Sequence, residues 1–353
     1  MKLILGILFF LCLCSCSSER EEQYKPIPVT IELPTTFQSL LPPPVIPQEN
    51  PLTQEGITLG RKLFFDPILS RDNTLACADC HSPQNAFSDS KRFSDGLDEE
   101  KGIRNSMPLM NLAWNISNRF NWDGSAVTLE EQIFEPVTNP IEMDHTWEAV
   151  ENELNADDEY PQLFEQAFAI NRIDSTAVSK AIAQFIRTLV SGDSRFDQYL
   201  REEVELTPQE LSGLEIFMNE EKGDCFHCHG NPNNPLWTDN QFHNNGLDEA
   251  FDDLGLGGIT GDPSQFGLFK SPSLRNLAYT APYMHDGRFE TLEEVIDHYS
   301  EGLQFSETID PLMKSIAQGG VQLTPQQKED LKAFLLSLTD EGFVSNPSYQ
   351  NPN

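Results

Sequence analysis

Two Cys-x-x-Cys-His motifs concentrate the reactive side chains of this sequence: Cys77, Cys80 and His81, then Cys225, Cys228 and His229. Paired thiols followed at once by an imidazole read as c-type haem attachment. The thiols add across the haem vinyl groups, and the imidazole reaches the iron from the proximal side. A zinc site would gather four ligands per motif, and the nearest extra candidates, His227 and His243, serve only the second. A redox dithiol has no use for the histidine that follows. The spacing therefore predicts two covalent haem c groups, with His81 and His229 as proximal ligands.

The segments around the motifs repeat. Trp122-Asp123-Gly124 leads to Thr128-Leu129-Glu130-Glu131 and Ile133; His285-Asp286-Gly287 leads to Thr291-Leu292-Glu293-Glu294 and Ile296, without a gap. Upstream, Asn111-Leu112-Ala113-Trp114 is echoed by Asn276-Leu277-Ala278-Tyr279. This reads as an internal duplication of one haem-binding unit. The constant offset sets Tyr299 against Pro136. Proline cannot ligate iron, whereas tyrosine is a known haem ligand. No histidine lies between His81 and Gln132, and the methionines there, Met107 and Met110, precede the echo. The expectation is a first haem with an open position, able to bind peroxide or oxygen, and a second closed by a protein side chain. Three residues compete for that closure, in the order Tyr299, Met284, His298.

Splitting an O–O bond needs a group that takes a proton from peroxide and returns it to the leaving oxygen. Gln132 and Glu142 follow the first repeat, where the second has Val295 and Phe305 at the same offsets. The polar pair thus accompanies only the haem expected to be open. Trp122 stands where the second copy has His285, and an indole there could relay electrons between haems.

The elements that must hold these groups read as helices. Thr53 to Phe65 repeats Leu59, Leu63 and Phe64 at helical spacing, and Ser175 to Leu189 does so with Val178, Ile182, Phe185 and Ile186. Thr207-Pro208-Gln209-Glu210 is a capping box ahead of Leu211, Leu214, Phe217 and Met218. Thr324-Pro325-Gln326-Gln327 starts a closing helix with Leu331, Phe334, Leu335 and Leu338 facing inward. Strand signals are few, so the fold class is all-α, with two cytochrome-c-like haem domains. The expected divisions are a leader over 1–16, a proline-rich extended tether over 17–50, a peroxidatic haem domain over 51–200 and an electron-transfer haem domain over 201–345.

The apolar run Leu3 to Leu13 is too short to span a bilayer and reads as a signal-peptide core. It ends Leu13-Cys14-Ser15-Cys16, which resembles a bacterial lipobox with Cys16 as the lipidated residue. That implies export to the periplasm or cell envelope, held to a membrane by the lipid alone. Of seven cysteines, four lie in the haem motifs and Cys12, Cys14 and Cys16 in the leader, leaving none for a structural disulfide. A net charge of −33 over 353 residues excludes nucleic acid as a partner. It implies a solvated surface, or a field that attracts a basic protein.

At these residues the sequence resembles the bacterial di-haem cytochrome c peroxidase family, which includes MauG. The resemblance covers roughly residues 52 to 340. It is carried by both haem motifs, Arg104-Asn105-Ser106, Trp122-Asp123-Gly124, Leu129-Glu130-Glu131-Gln132, Asn139-Pro140-Ile141-Glu142-Met143 and Ala281-Pro282-Tyr283-Met284-His285-Asp286-Gly287. It implies a calcium ion between the haems, held by Asn105 and the carbonyls of Thr280 and Pro282. It also implies Gln132 and Glu142 on the peroxide side, Trp122 as inter-haem relay, and His285 near haem propionates. Its substrates would be hydrogen peroxide and an external redox protein such as a small cytochrome c, with a homodimer as one assembly. Two departures, Tyr299 at the usual methionine position and no switching histidine, look like the MauG branch, which oxidises side chains of a partner protein. A plain electron-transfer cytochrome and a peroxide sensor are the non-catalytic alternatives.

Overall fold

The structure is a computed structural model that describes residues 25–352. The leader and Cys16 lie outside the described residues. The chain is mostly helical. Among the described residues the one sheet pairs β1 (Phe242–His243) antiparallel with β2 (Phe269–Lys270), setting Phe242 opposite Lys270 and His243 opposite Phe269.

Each half is built on one crossed helix pair. In the first, Thr53 caps helix Gln54–Phe65 by accepting from Gly56 N–H at 3.0 Å. That helix buries Leu59, Leu63 and Phe64 against helix Ser175–Arg187, which buries Val178, Ile182, Phe185 and Ile186. The two meet at Gly60, where an added Cβ would stand 1.8 Å from the Ala181 carbonyl oxygen, so only glycine permits the approach. In the second half, helices Pro208–Met218 and Pro325–Leu336 both begin in capping boxes, Thr207 with Glu210 and Thr324 with Gln327. They cross at Gly213, where a Cβ would stand 2.0 Å from the Asp330 carbonyl oxygen. Leu331, Phe334, Leu335 and Leu338 are buried as the pattern predicts. Leu211 is not: it is 40% exposed, because the helix turns Ile216 and Phe217 to the core and leaves its first turn at the edge.

The apolar core is correspondingly divided. One cluster runs from Leu59 to Leu189 and also takes in Phe343 from the short helix Glu341–Ser345. The other runs from Phe196 to Leu338.

The proline-rich segment departs from expectation over residues 25–50, which form a strap laid on the body. Phe37 in helix Thr35–Leu40 is fully buried, edge-on to Trp114 at 5.2 Å. The Trp114 indole N–H donates to the Pro42 carbonyl at 3.0 Å, and Val45 N–H to that of Ala113 at 2.7 Å. Phe37, Trp114 and Leu236 form a third apolar cluster, so the strap covers both halves. Burying one large aromatic is what turns a tether into a strap.

Across the seam between halves, Arg104 bonds both Asp123 and Asp253, and Arg92 Nη2 lies 3.2 Å from Asp286 Oδ2. No helix among the described residues is long and apolar enough to cross a membrane.

Candidate haem sites and the wall between them

Each Cys-x-x-Cys-His motif borders a large cavity. Cys77, Cys80 and His81 line one of ≈ 390 Å³. Cys225, Cys228 and His229 line another of ≈ 200 Å³. All four thiols are free, and burial pushes Cys77 and Cys225 up to about 12 and Cys80 up to about 11. His81 Nδ1 donates to the Phe87 carbonyl at 3.0 Å, and His229 Nδ1 to the Pro272 carbonyl at 3.2 Å. A carbonyl only accepts, so Nδ1 carries the proton in both rings and Nε2 carries the lone pair. Burial favours the neutral ring: it lowers His81 and takes His229 down to about 4. Free thiols beside a neutral imidazole with a fixed tautomer, over a cavity, fit a haem that these thiols and Nε2 would hold. Zinc has no comparable fit, since no three His, Cys, Asp or Glu side chains gather as a metal site among the described residues.

The far sides differ. Gln132, Pro136 and Glu142 line the first cavity. Gln132 closes helix Leu129–Gln132, and Pro136 lies in helix Phe134–Thr138. Glu142 Oε1 accepts from Asn139 Nδ2 at 2.8 Å. Burial raises the Glu142 carboxyl, and Glu135, also on the cavity wall, adds to the shift by like charge.

In the second cavity, Val295 stands at the Gln132 offset and Tyr299 at the Pro136 offset. Tyr299 follows helix Leu292–Asp297 and sits in a wide π turn, His298–Gly302. Such turns recur at functional sites because they re-aim a side chain. The π turn also ends the correspondence between the halves: Phe305, at the Glu142 offset, is 64% exposed and off the cavity. The Asn245 amide Nδ2 lies 3.3 Å from the Tyr299 hydroxyl and 3.4 Å from Met284 Sδ, so one amide gathers two of the competing donors. Burial pushes the Tyr299 phenol up to about 12. His298 is off the cavity lining, its Nε2 donating to the Asn245 carbonyl at 3.1 Å.

Trp122, Asn105, Pro108 and Lys270 line both cavities and form the wall between them. The Trp122 indole N–H donates to the Asn105 carbonyl at 2.8 Å. Asn105 N–H donates to the His285 carbonyl at 2.7 Å, and its Nδ2 donates to the Lys91 carbonyl at 3.0 Å. Thr280, Pro282 and His285 line the second cavity beside it. His285 stacks face to face on Phe269 at 3.6 Å and is pushed down to about 4 by burial.

Four residues at these sites had no assigned role in the sequence. Asn139 could have been found from its three-residue spacing to Glu142. Asn245 and Lys270 have no such signal, because their partners are distant in the chain; the clamp on His243 has one for Asp239, four residues away, but none for Asp310. His243 Nε2 lies 2.8 Å from Asp239 Oδ2, and its Nδ1 lies 2.6 Å from Asp310 Oδ2. Burial opposes its charge, but Asp239 and Asp310 outweigh it and hold the ring at about 11.

Comparison with known proteins agrees with these cavities. A profile of the family "Di-haem cytochrome c peroxidase" matches residues 54–205. A methylamine utilization protein MauG from Methylorubrum extorquens is 38% identical over 302 residues, 84% of this chain and 81% of that protein. A cytochrome c551 peroxidase from Pseudomonas aeruginosa is 33% identical over 299 residues, 82% of this chain and 80% of that protein. The crystal structure of a MauG-like protein associated with microbial copper homeostasis superposes with a TM-score of 0.83 at 36% identity, covering 92% of this chain and 99% of that one. The chain belongs to the di-haem cytochrome c peroxidase family. It is a haem peroxidase, an oxidoreductase with two haem groups.

Proposed function

We propose that the two haems have separate duties, with hydrogen peroxide reduced at the first cavity and electrons stored and passed at the second. The observation that carries this is the unequal finish of the far walls: Gln132 and Glu142 on one, Val295, Met284 and Tyr299 on the other. Cys77, Cys80 and His81 would hold a haem that, when bound, would supply the electrons and the metal centre for O–O cleavage. Glu142 then acts as general base and acid: its carboxylate takes the proton of the incoming peroxide and returns it to the departing oxygen. Asn139 fixes the rotamer that presents that carboxylate, and Gln132 orients the peroxide by hydrogen bonding. Pro136 offers no donor atom, so the space above the first site stays available. Tyr299 closes the second site, bound through Cys225, Cys228 and His229, with Met284 as the competing donor. Trp122 is the electron path between them.

The same reading takes Asn105, with the carbonyls of Thr280 and Pro282, as a calcium site in the wall, and places His285 by the propionates. Oxygen donors of this kind suit a hard cation. It divides the chain into haem domains 51–200 and 201–345, arisen by duplication. The shared sequence segments support that, as do the matched glycine crossings and the matched histidine geometry. The leader supports export to the periplasm or cell envelope, with Cys16 lipidated.

The external donor is a redox protein such as a small cytochrome c. The likeness to MauG and the Tyr299 position favour a second reading, in which the oxidising equivalents act on side chains of a partner protein. Turnover with reduced cytochrome c and peroxide separates them: steady oxidation of the cytochrome supports the first, and turnover only with a specific protein supports the second.

A further inference from the structure

Three Lys or Arg side chains are buried among the described residues: Arg187, Lys270 and Arg275. Arg187 is paired with Glu130 at 2.6 Å and Arg275 with Asp197 at 2.7 Å. Lys270 is different. Its Nζ donates to Asn115 Oδ1 at 3.0 Å, to Ser117 Oγ at 2.9 Å and to the Arg119 carbonyl at 2.8 Å. These three contacts use all three ammonium protons, and every acceptor is neutral. The hydrogen bonds are satisfied but the charge is not. The carboxylate acting on it through space, Asp239, is already engaged with His243. Burial accordingly lowers the Lys270 ammonium to about 7.

A buried cation without a counter-ion is costly and calls for a reason. Its position supplies one. Lys270 lies in the wall common to both cavities. Its backbone N–H donates to the Trp122 carbonyl at 2.8 Å. It comes from β2 in the second half, while its three acceptors come from the 115–119 loop of the first.

We propose that Lys270 is a shared electrostatic residue for the two haem sites: its uncompensated charge favours an electron on either side of the wall and so sets both reduction potentials together. No bond is made or broken; each electron comes from the external donor, and the fixed positive charge stabilises it wherever it resides. Full hydrogen-bond use leaves the ammonium no free proton for a ligand, so its effect reaches both sites through space. In a poorly solvated wall such an interaction is screened far less than at the surface. The inference rests on the reading that each cavity holds one haem.

Two variants separate this role from simple bracing of the loop. Lys270→Met removes both charge and brace. Lys270→Gln removes the charge but keeps an N–H donor for the loop. Spectroelectrochemical titration of the holoprotein at pH 6, where the ammonium is charged, reads both midpoint potentials. Both should shift downward in Lys270→Met and again in Lys270→Gln. A bracing role predicts unmoved potentials in Lys270→Gln, and that result, or movement of one haem alone, overturns the proposal. Should Lys270→Met fail to retain both haems, Lys270→Gln decides. Failure of the one-haem-per-cavity reading shows separately, as a wild-type haem content other than two per chain.

Discussion

Where the first cavity presents Gln132 and Pro136, the second presents Val295 and Tyr299, on the same scaffold of a threonine-capped helix. On the histidine walls the two sites agree down to the hydrogen bond that fixes each tautomer. On the far walls they diverge: the first cavity is roomier and carries a half-buried carboxylate, and the second is smaller and brings a phenol and a thioether to one amide. The lesson is that the wall built from a short motif is the same in both sites, while the wall facing it differs.

The comparison breaks hardest at the attachment residues. Cys77→Ser with Cys80→Ser should yield a chain with one covalent haem and no peroxidase turnover; intact-mass measurement checks the first and a cytochrome oxidation assay the second. Cys225→Ser with Cys228→Ser should also leave one haem, at the first cavity, still reactive with peroxide.

Next comes Glu142→Gln, which should keep both haems but slow the reaction with peroxide by roughly 10²–10⁴-fold, the span of general acid–base assistance. The pH profile sharpens this. A general base works when ionised, and burial with Glu135 raises the Glu142 carboxyl. The rate should therefore rise with pH through a limb above the usual carboxylate range and then level. Glu142→Gln should abolish that limb in stopped-flow traces.

Gly60→Ala and Gly213→Ala test whether the two helix crossings are equivalent. Each forces a Cβ onto a carbonyl, so each should destabilise its own half by about 1–3 kcal/mol, the range for overpacking. Chemical denaturation monitored at each haem reads them apart, and a loss at the other haem would contradict the division of the core.

Tyr299→Phe should have the smallest effect, changing the spectrum of the second haem while the first still reacts with peroxide. If the spectrum is unaltered and Met284→Leu changes it instead, the thioether is the ligand.

Much of this plan is legible in the sequence because its causes are local. Capping boxes and helix periodicity are short-range patterns, and they place the helix pairs. Each Cys-x-x-Cys-His lines a cavity, and so do Pro136 and Tyr299, one in each. The misses have non-local causes. Phe37 reads as one aromatic in a proline-rich stretch until Trp114 and Leu236 close over it. Phe305 loses its match to Glu142 because a π turn, which has no sequence signature here, intervenes. Lys270 carries no local signal; the loop from the other half is what buries it.

The central claim is that the first haem site is open as isolated and shares its oxidising equivalents with the second. Mixing the fully oxidised protein with one equivalent of hydrogen peroxide, and recording visible and near-infrared spectra within milliseconds, tests it directly. The account predicts a rapid spectral change without prior reduction, together with a near-infrared band from charge shared between the haems. No change until one haem is reduced would contradict it, and would mean that a protein ligand blocks the first site after all.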